Sequence, residues 1–274
     1  MLIWGIITSV LAIIFFAGWV ERNNWGRESF NNSPIRDNCL PLWAPFFLFG
    51  VWIFTMFVVA RALMLITGIS DKDDPIINQT SLAVSSVLTS FLSLTLAAAF
   101  FNGGLSGFGI DFKTAKRDFK RAFGVLVQSW PAVTAMMICI TALVPYLTNG
   151  KMNVPSHPML DYANTASSQL VIVFISIIVV FVAPLLEEIL FRGFVQTKVS
   201  ENIQNRWGAI FMTSVFFAIV HGGTLWMHWP ALFLFSCVLG YVYEKSGSLL
   251  QSIFLHAMFN GSNLVLSLIG SQFS

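Results

Sequence analysis

Apolar residues in this chain come in long runs, not in the alternation of a strand or the single stripe of a soluble helix. Eight runs stand out: residues 2–20, 42–60, 82–101, 122–147, 168–186, 208–221, 229–243 and 248–269. About 20 apolar helical residues cross a hydrocarbon layer. Lipid admits only backbones that satisfy their own polar groups, so spans are helices or closed barrels. The pattern predicts an all-α fold, a polytopic membrane helical bundle of about eight transmembrane helices. The sixth and seventh runs are short, and are expected either to extend past these limits or to span incompletely. The first run has no Lys or Arg ahead of it and no small-residue cleavage pattern. It therefore reads as a retained helix and not as a secretory leader.

Composition agrees. The 274 residues are 56% hydrophobic and 10% charged, with a mean hydropathy of +0.75. Soluble domains carry about 25% charged residues, so this chain lacks the polar surface to face water alone. The 27 Phe and 9 Trp suit a bilayer, Trp favouring its interfaces. Tyr241 and Tyr243 are expected in such an interfacial belt. A net charge of +2 without a long basic block gives no support to nucleic-acid binding. Cys39, Cys139 and Cys237 are an odd number and lie far apart with no CxxC or metal-like spacing, so nothing indicates a disulfide framework; Cys139 and Cys237, inside apolar runs, read as small hydrophobes.

Charge then orients the spans. The loops after the first, third, fifth and seventh runs hold 12 of the 15 Lys and Arg. By the positive-inside rule those loops are cytoplasmic, which places both termini outside. The protein is expected in the cell membrane. Asn78-Gln79-Thr80 would then lie outside as a glycosylation triplet, a weak signal by itself. Residues 102–121 differ from the rest: Gly103, Gly104, Gly107 and Gly109 suggest a flexible link, followed by cations with Phe112, Phe119 and Phe123 among them. This stretch is expected at the cytoplasmic interface, near anionic headgroups. The organisation expected is residues 1–121 as N-terminal helices and basic segment, and 122–274 as a helical core, within one membrane domain.

Ionisable groups inside apolar runs are the informative ones, because a charge at the bilayer centre costs at least ~2.5 kcal/mol. The first half of the chain has almost none and the second half has a cluster. Glu187 and Glu188 close the fifth run, followed by Arg192. Helical neighbours point about 100° apart, so the two carboxylates are expected to serve different tasks. Glu188 and Arg192 have the favourable i, i+4 order for an ion pair. His221 closes the sixth run, while His256 and Asn260 lie one turn apart in the last. Taken singly, each has a bland reading: an interfacial charge cluster, a satisfied histidine, a polar contact between helices. Together Glu187, His221, His256 and Asn260 supply a carboxylate, two imidazoles and an amide, which suffices for hydrolysis. A carboxylate can take a proton from water that an imidazole helps to hold, and imidazole or amide N–H groups can stabilise an oxyanion. His228, before Trp229-Pro230, and His157, in a polar loop, read as structural or solvent-exposed.

Glu187-Glu188-x-x-x-Arg192, Phe217-x-x-x-His221 and His256-x-x-x-Asn260 resemble, in order, the three motifs of the CAAX-processing endopeptidase and bacteriocin-processing (ABI) family. Gly247-Ser248-Leu249 before His256 is similar to the lead-in of its last motif, and the resemblance spans roughly residues 168–265. It implies a glutamate intramembrane protease without a cofactor, acting on a protein or peptide substrate, prenylated or not. Under it Glu187 and His221 activate water, His256 and Asn260 form an oxyanion hole, and Glu188 and Arg192 support the architecture.

Other readings stay open. Two histidines and a glutamate can ligate zinc, but the chain has no HExxH, and Asn260 beside His256 suits an oxyanion site better. A non-catalytic scaffold or immunity-type regulator could bind a peptide or partner membrane protein on the same fold. A transporter could use intramembrane charges as a proton path, but no internal repeat is evident.

Overall fold

A computed structural model describes residues 2–22, 25, 26, 28–69, 74–152, 168–221 and 227–271. His157 and the Gly222-Gly223 pair lie outside the described residues. The described residues form helices and no strand, apart from one isolated bridge between Asn38 and Phe101. The helices are α1 (Leu2–Arg22), α2 (Ala44–Thr67), α3 (Pro75–Phe100), the one-turn α4 (Gly104–Phe108) and α5 (Ala115–Leu147). They continue with α6 (Gln169–Ile203), α7 (Arg206–Val220), α8 (Trp229–Ser246) and α9 (Leu249–Ser271). Each of the eight apolar runs is a helix. Five of them, α2, α3, α5, α6 and α9, are long and apolar enough to cross a membrane. The sixth run stays short, at 15 residues.

Where helix limits move, cap and charge chemistry explains it. α3 starts at Pro75, ahead of the expected 82, because Asp74 caps it. The Asp74 carboxylate accepts from the backbone N–H groups of Ile76 and Ile77 at 2.9 and 3.0 Å, and Pro suits the first helical position. The Asn78-Gln79-Thr80 triplet thus lies in a helix. α6 does not stop at Glu187 and Glu188 but runs on to Ile203, carrying both carboxylates mid-helix. The glycine-rich stretch is no flexible link. It folds into α4, bounded by left-handed Gly103 and Gly109, and of the cations that follow Lys113 lies in a 3₁₀ turn while Lys116, Arg117, Lys120 and Arg121 lie in the first turns of α5.

The chain divides into two compact units. One comprises Met1–Ile35, Phe112–His157 and Val199–Leu255. Here α5 contacts α1 and α8, and α7 contacts α8. Tyr241 and Tyr243 are buried and do not form a lipid-facing belt. The Tyr241 ring lies 4.2 Å from Trp25 and stacks with Trp207 at 5.8 Å. Asp118 is fully buried and accepts from the Thr114 and Ser248 hydroxyls at 2.6 and 2.7 Å. The Ser248 hydroxyl in turn accepts from the backbone N–H of Gln251, capping the start of α9. His228, just before α8, is half-buried, and burial pushes its imidazole below the ordinary pKa.

The second unit comprises Arg36–Asp111, Pro158–Lys198 and His256–Ser274. α2 and α3 contact each other and the middle of α6. Phe108 of α4 lies against Gly193 of α6, where a Cβ would come within 2.2 Å of the Phe108 ring. Only glycine allows that approach. Phe108 also meets the rings of Phe101 and Phe194 at 4.9 and 5.4 Å. This packing fixes the turn of α6 that follows Arg192. Farther along, Ile175 of α6 and Leu264 of α9 form a buried core with Val179, Val180 and Leu268 around it.

Candidate active site

α6 is not a uniform helix. Two π-helical stretches, Ile178–Val182 and Ile189–Gln196, flank the α-helical turn Ala183–Glu188 that bears the carboxylates. Wider π turns shift the register of side chains and carbonyls, and they recur at functional sites. Gly193 lies in the second widened region and Thr197 directly follows it: the Thr197 hydroxyl donates to the Arg192 carbonyl, five residues back.

Glu188 and Arg192 form the ion pair expected from their spacing. Arg192 Nη1 donates to Glu188 Oε1 at 3.0 Å, and neither side chain has any solvent exposure. The same Oε1 takes a second partner, His256 Nδ1, at 2.7 Å. An ionised carboxylate only accepts, so Nδ1 carries the proton and donates. Glu188 therefore holds the orientation of the His256 ring. The sequence did not show this partner, which lies 68 residues away.

The other face of the imidazole meets the other glutamate. His256 Nε2 lies 3.7 Å from Glu187 Oε2, within ion-pair range but beyond hydrogen-bond distance. Adjacent helix positions were expected to keep the two carboxylates on separate tasks. They do diverge, yet one ring placed between them reaches both. The difference between them is access: Glu187 keeps 23% of its side chain exposed, whereas Glu188 keeps none.

Asn260, one turn past His256, donates through Nδ2 to the Val179 carbonyl at 3.0 Å. Val179 lies in the first π-helical stretch, so the amide straps α9 to the widened turn of α6. A primary amide has two N–H groups, and this strap uses one. Next to it, Gly261 faces Val180.

His221 belongs to the first unit. It follows the last turn of α7, half-buried, with its ring 4.3 Å from the Phe217 ring. Its Nδ1 sits 2.8 Å from the Phe217 carbonyl. A carbonyl can only accept, so Nδ1 again carries the proton, and in the neutral ring Nε2 holds the lone pair. The phenylalanine of the Phe217-x-x-x-His221 motif thus supplies both a ring face and the backbone acceptor that fixes the tautomer. Among the described residues no three His, Cys, Asp or Glu side chains converge as metal ligands.

Helices long and apolar enough to span a membrane, two of which carry a buried carboxylate, guanidinium and imidazole cluster, mark a multi-pass membrane protein with a buried polar centre. Residues 169–262, which hold every motif above, match the family described as Rce1-like, type II CAAX prenyl endopeptidase Rce1-like. The chain is also similar to the UPF0177 protein YxdF of Lactococcus lactis subsp. lactis (strain IL1403). The two are 35% identical over 88 residues, 31% of this chain and 47% of that protein. The chain thus spans about half the length of the curated relative it matches. No solved structure matches it.

Proposed function

We propose that this protein is an intramembrane endopeptidase that hydrolyses a peptide bond near the C-terminus or membrane-proximal part of a protein substrate, lipidated or not. Glu187 and His221 activate water, and His256 with Asn260 stabilises the oxyanion. The observation that carries the reading is the paired environment of the two glutamates: Glu188 is buried and committed to Arg192 and His256, while Glu187 beside it keeps access to water.

In this mechanism Glu187 takes a proton from water as the water oxygen bonds to the scissile carbonyl carbon. The carbonyl π electrons move onto its oxygen, where N–H donors of His256 and Asn260 receive them. Collapse re-forms the C=O bond and breaks C–N, and the leaving amine takes the proton from Glu187. Because Nδ1 of His256 already donates to Glu188, donation from Nε2 to an oxyanion needs the ring with both protons. No metal takes part, and both termini face away from the cytoplasm.

The test is peptidomics on membranes from cells carrying the wild type, Glu187→Ala or Glu188→Gln, followed by cleavage of the identified peptide by reconstituted protein. Cleavage by Glu187→Ala is expected to fall at least ~100-fold. Wild-type rates in Glu187→Ala would overturn the assignment and leave a binding scaffold as the function. Stoichiometric zinc whose removal by chelator abolishes cleavage would overturn the metal-free mechanism.

A further inference from the structure

We propose that the N-terminal turns of α5 form a binding surface for anionic phospholipid headgroups, with Lys116, Lys120 and Arg121 taking the phosphate and Phe119 and Phe123 entering the acyl layer beside it. The inference does not depend on the proposed protease activity.

Length places this segment at headgroup depth. α5 has 33 residues, about 50 Å at ~1.5 Å per residue, whereas the hydrocarbon core is ~30 Å thick. The apolar part from Ala122 onward already suffices to span. The preceding turns therefore extend into the interface.

The arrangement of side chains around the helix selects the partner. Asp118 and Ala122 face inward and are fully buried. At ~100° per residue, Lys116, Arg117, Lys120 and Arg121 cover the opposite side, and all four are exposed. Phe119 and Phe123 form the adjoining row one turn apart, with 48% and 54% exposure. Phe112, just ahead of the helix, is 77% exposed. A basic face bordered by exposed phenylalanines, continuous with a membrane span, fits the boundary between headgroups and acyl chains better than it fits water.

Electrostatics calls for an external anion. Lys116 with Lys120 and Arg117 with Arg121 are like-charge pairs at i, i+4, each unfavourable to the helix. They also sit in its first two turns, the positive end of the helix dipole, where acids are preferred. The one acid in the first turn, Asp118, is turned inward to Thr114 and Ser248 and reaches only Arg117, at 3.2 Å. Phosphate headgroups would offset the repulsion and the dipole together.

The experiment uses the full-length protein, delipidated in a neutral detergent and given equal phosphatidylglycerol and phosphatidylcholine. Bound lipid is then counted by native mass spectrometry. The wild type is expected to retain phosphatidylglycerol preferentially, and preference should drop about fivefold for each cation removed, as in the combined variant Lys116→Gln, Lys120→Gln, Arg121→Gln. The charge-preserving Lys116→Arg, Lys120→Arg should keep it, and inorganic phosphate should not compete. Raising salt tenfold on the wild type is a second measurement that needs no variant, and it should lower retention. Equal retention of both lipids by the wild type, or salt-insensitive retention, would overturn the proposal, as would unchanged preference in the combined Gln variant.

Discussion

Replacing Arg192 with methionine isolates the energetics of the buried centre. Arg192 and Glu188 are both wholly inaccessible, joined at 3.0 Å. Removal of the guanidinium leaves a carboxylate in a low-dielectric interior beside the His256 Nδ1–H at 2.7 Å. Breaking such a pair from one side costs about 3–5 kcal/mol, because the surviving charge stays buried without its counter-ion. The double variant Glu188→Gln, Arg192→Met removes both charges and keeps an acceptor for His256. It should lose no more than about 1–2 kcal/mol, since two opposed desolvation terms vanish with the pair. The expected interaction energy is therefore at least ~2 kcal/mol in a double-mutant cycle. The assay is equilibrium unfolding in mixed micelles, followed by far-ultraviolet circular dichroism. An Arg192→Met loss below ~1 kcal/mol would refute the reasoning. So would a double variant as unstable as Arg192→Met alone, because the penalty would then not come from an uncompensated charge.

Three further outcomes follow from single contacts. Gly193→Ala places a Cβ within 2.2 Å of the Phe108 ring; it should destabilise by about 1–3 kcal/mol, and Phe108→Leu in the same chain should recover part of that, read as the unfolding midpoint. Asn260→Ala removes the bond to the Val179 carbonyl, costing about 1 kcal/mol of stability. If its second N–H meets the oxyanion, kcat falls a further ~100-fold or more; a stability loss with unchanged kcat would make Asn260 a strap alone. Ser248→Ala removes the hydroxyl that links Asp118 to the start of α9 and should cost about 1–2 kcal/mol in the same unfolding assay.

Helix existence was legible because lipid leaves an apolar run few other conformations. Helix limits were legible only where hydropathy changes at the cap. At Asp74-Pro75 the cap lies inside a polar stretch, so the start of α3 was placed too late. At Glu187 and Glu188 charge suggested an end, but a carboxylate paired four residues on is compatible with a continuing helix, and α6 continues. The Glu188 to Arg192 bond was readable because it is local. The Glu188 to His256 bond was not, because nothing in either motif states which distant element turns toward it. The π-helical widening around Val179 and Gly193 was also hidden: it coincides with contacts to Asn260 and Phe108, residues far away in sequence.

The two imidazoles look alike in sequence, and their surroundings separate them. Each commits Nδ1 as a donor, His221 to the Phe217 carbonyl and His256 to the Glu188 carboxylate. A carbonyl is a neutral dipole, and a ring held by it is complete with a single proton, leaving Nε2 a lone pair with which to take a proton. A carboxylate carries a full charge and can balance a ring that holds two protons, whose Nε2 then donates. The first arrangement suits a partner in water activation and the second suits an oxyanion donor. The proposed division of labour between His221 and His256 therefore rests on the acceptor behind each ring. Glu188→Gln tests it: neutralising that acceptor while keeping its oxygen should lower kcat through His256 and leave the His256 ring anchored. A Glu188→Gln enzyme with undiminished kcat would show that the charge behind the ring is irrelevant.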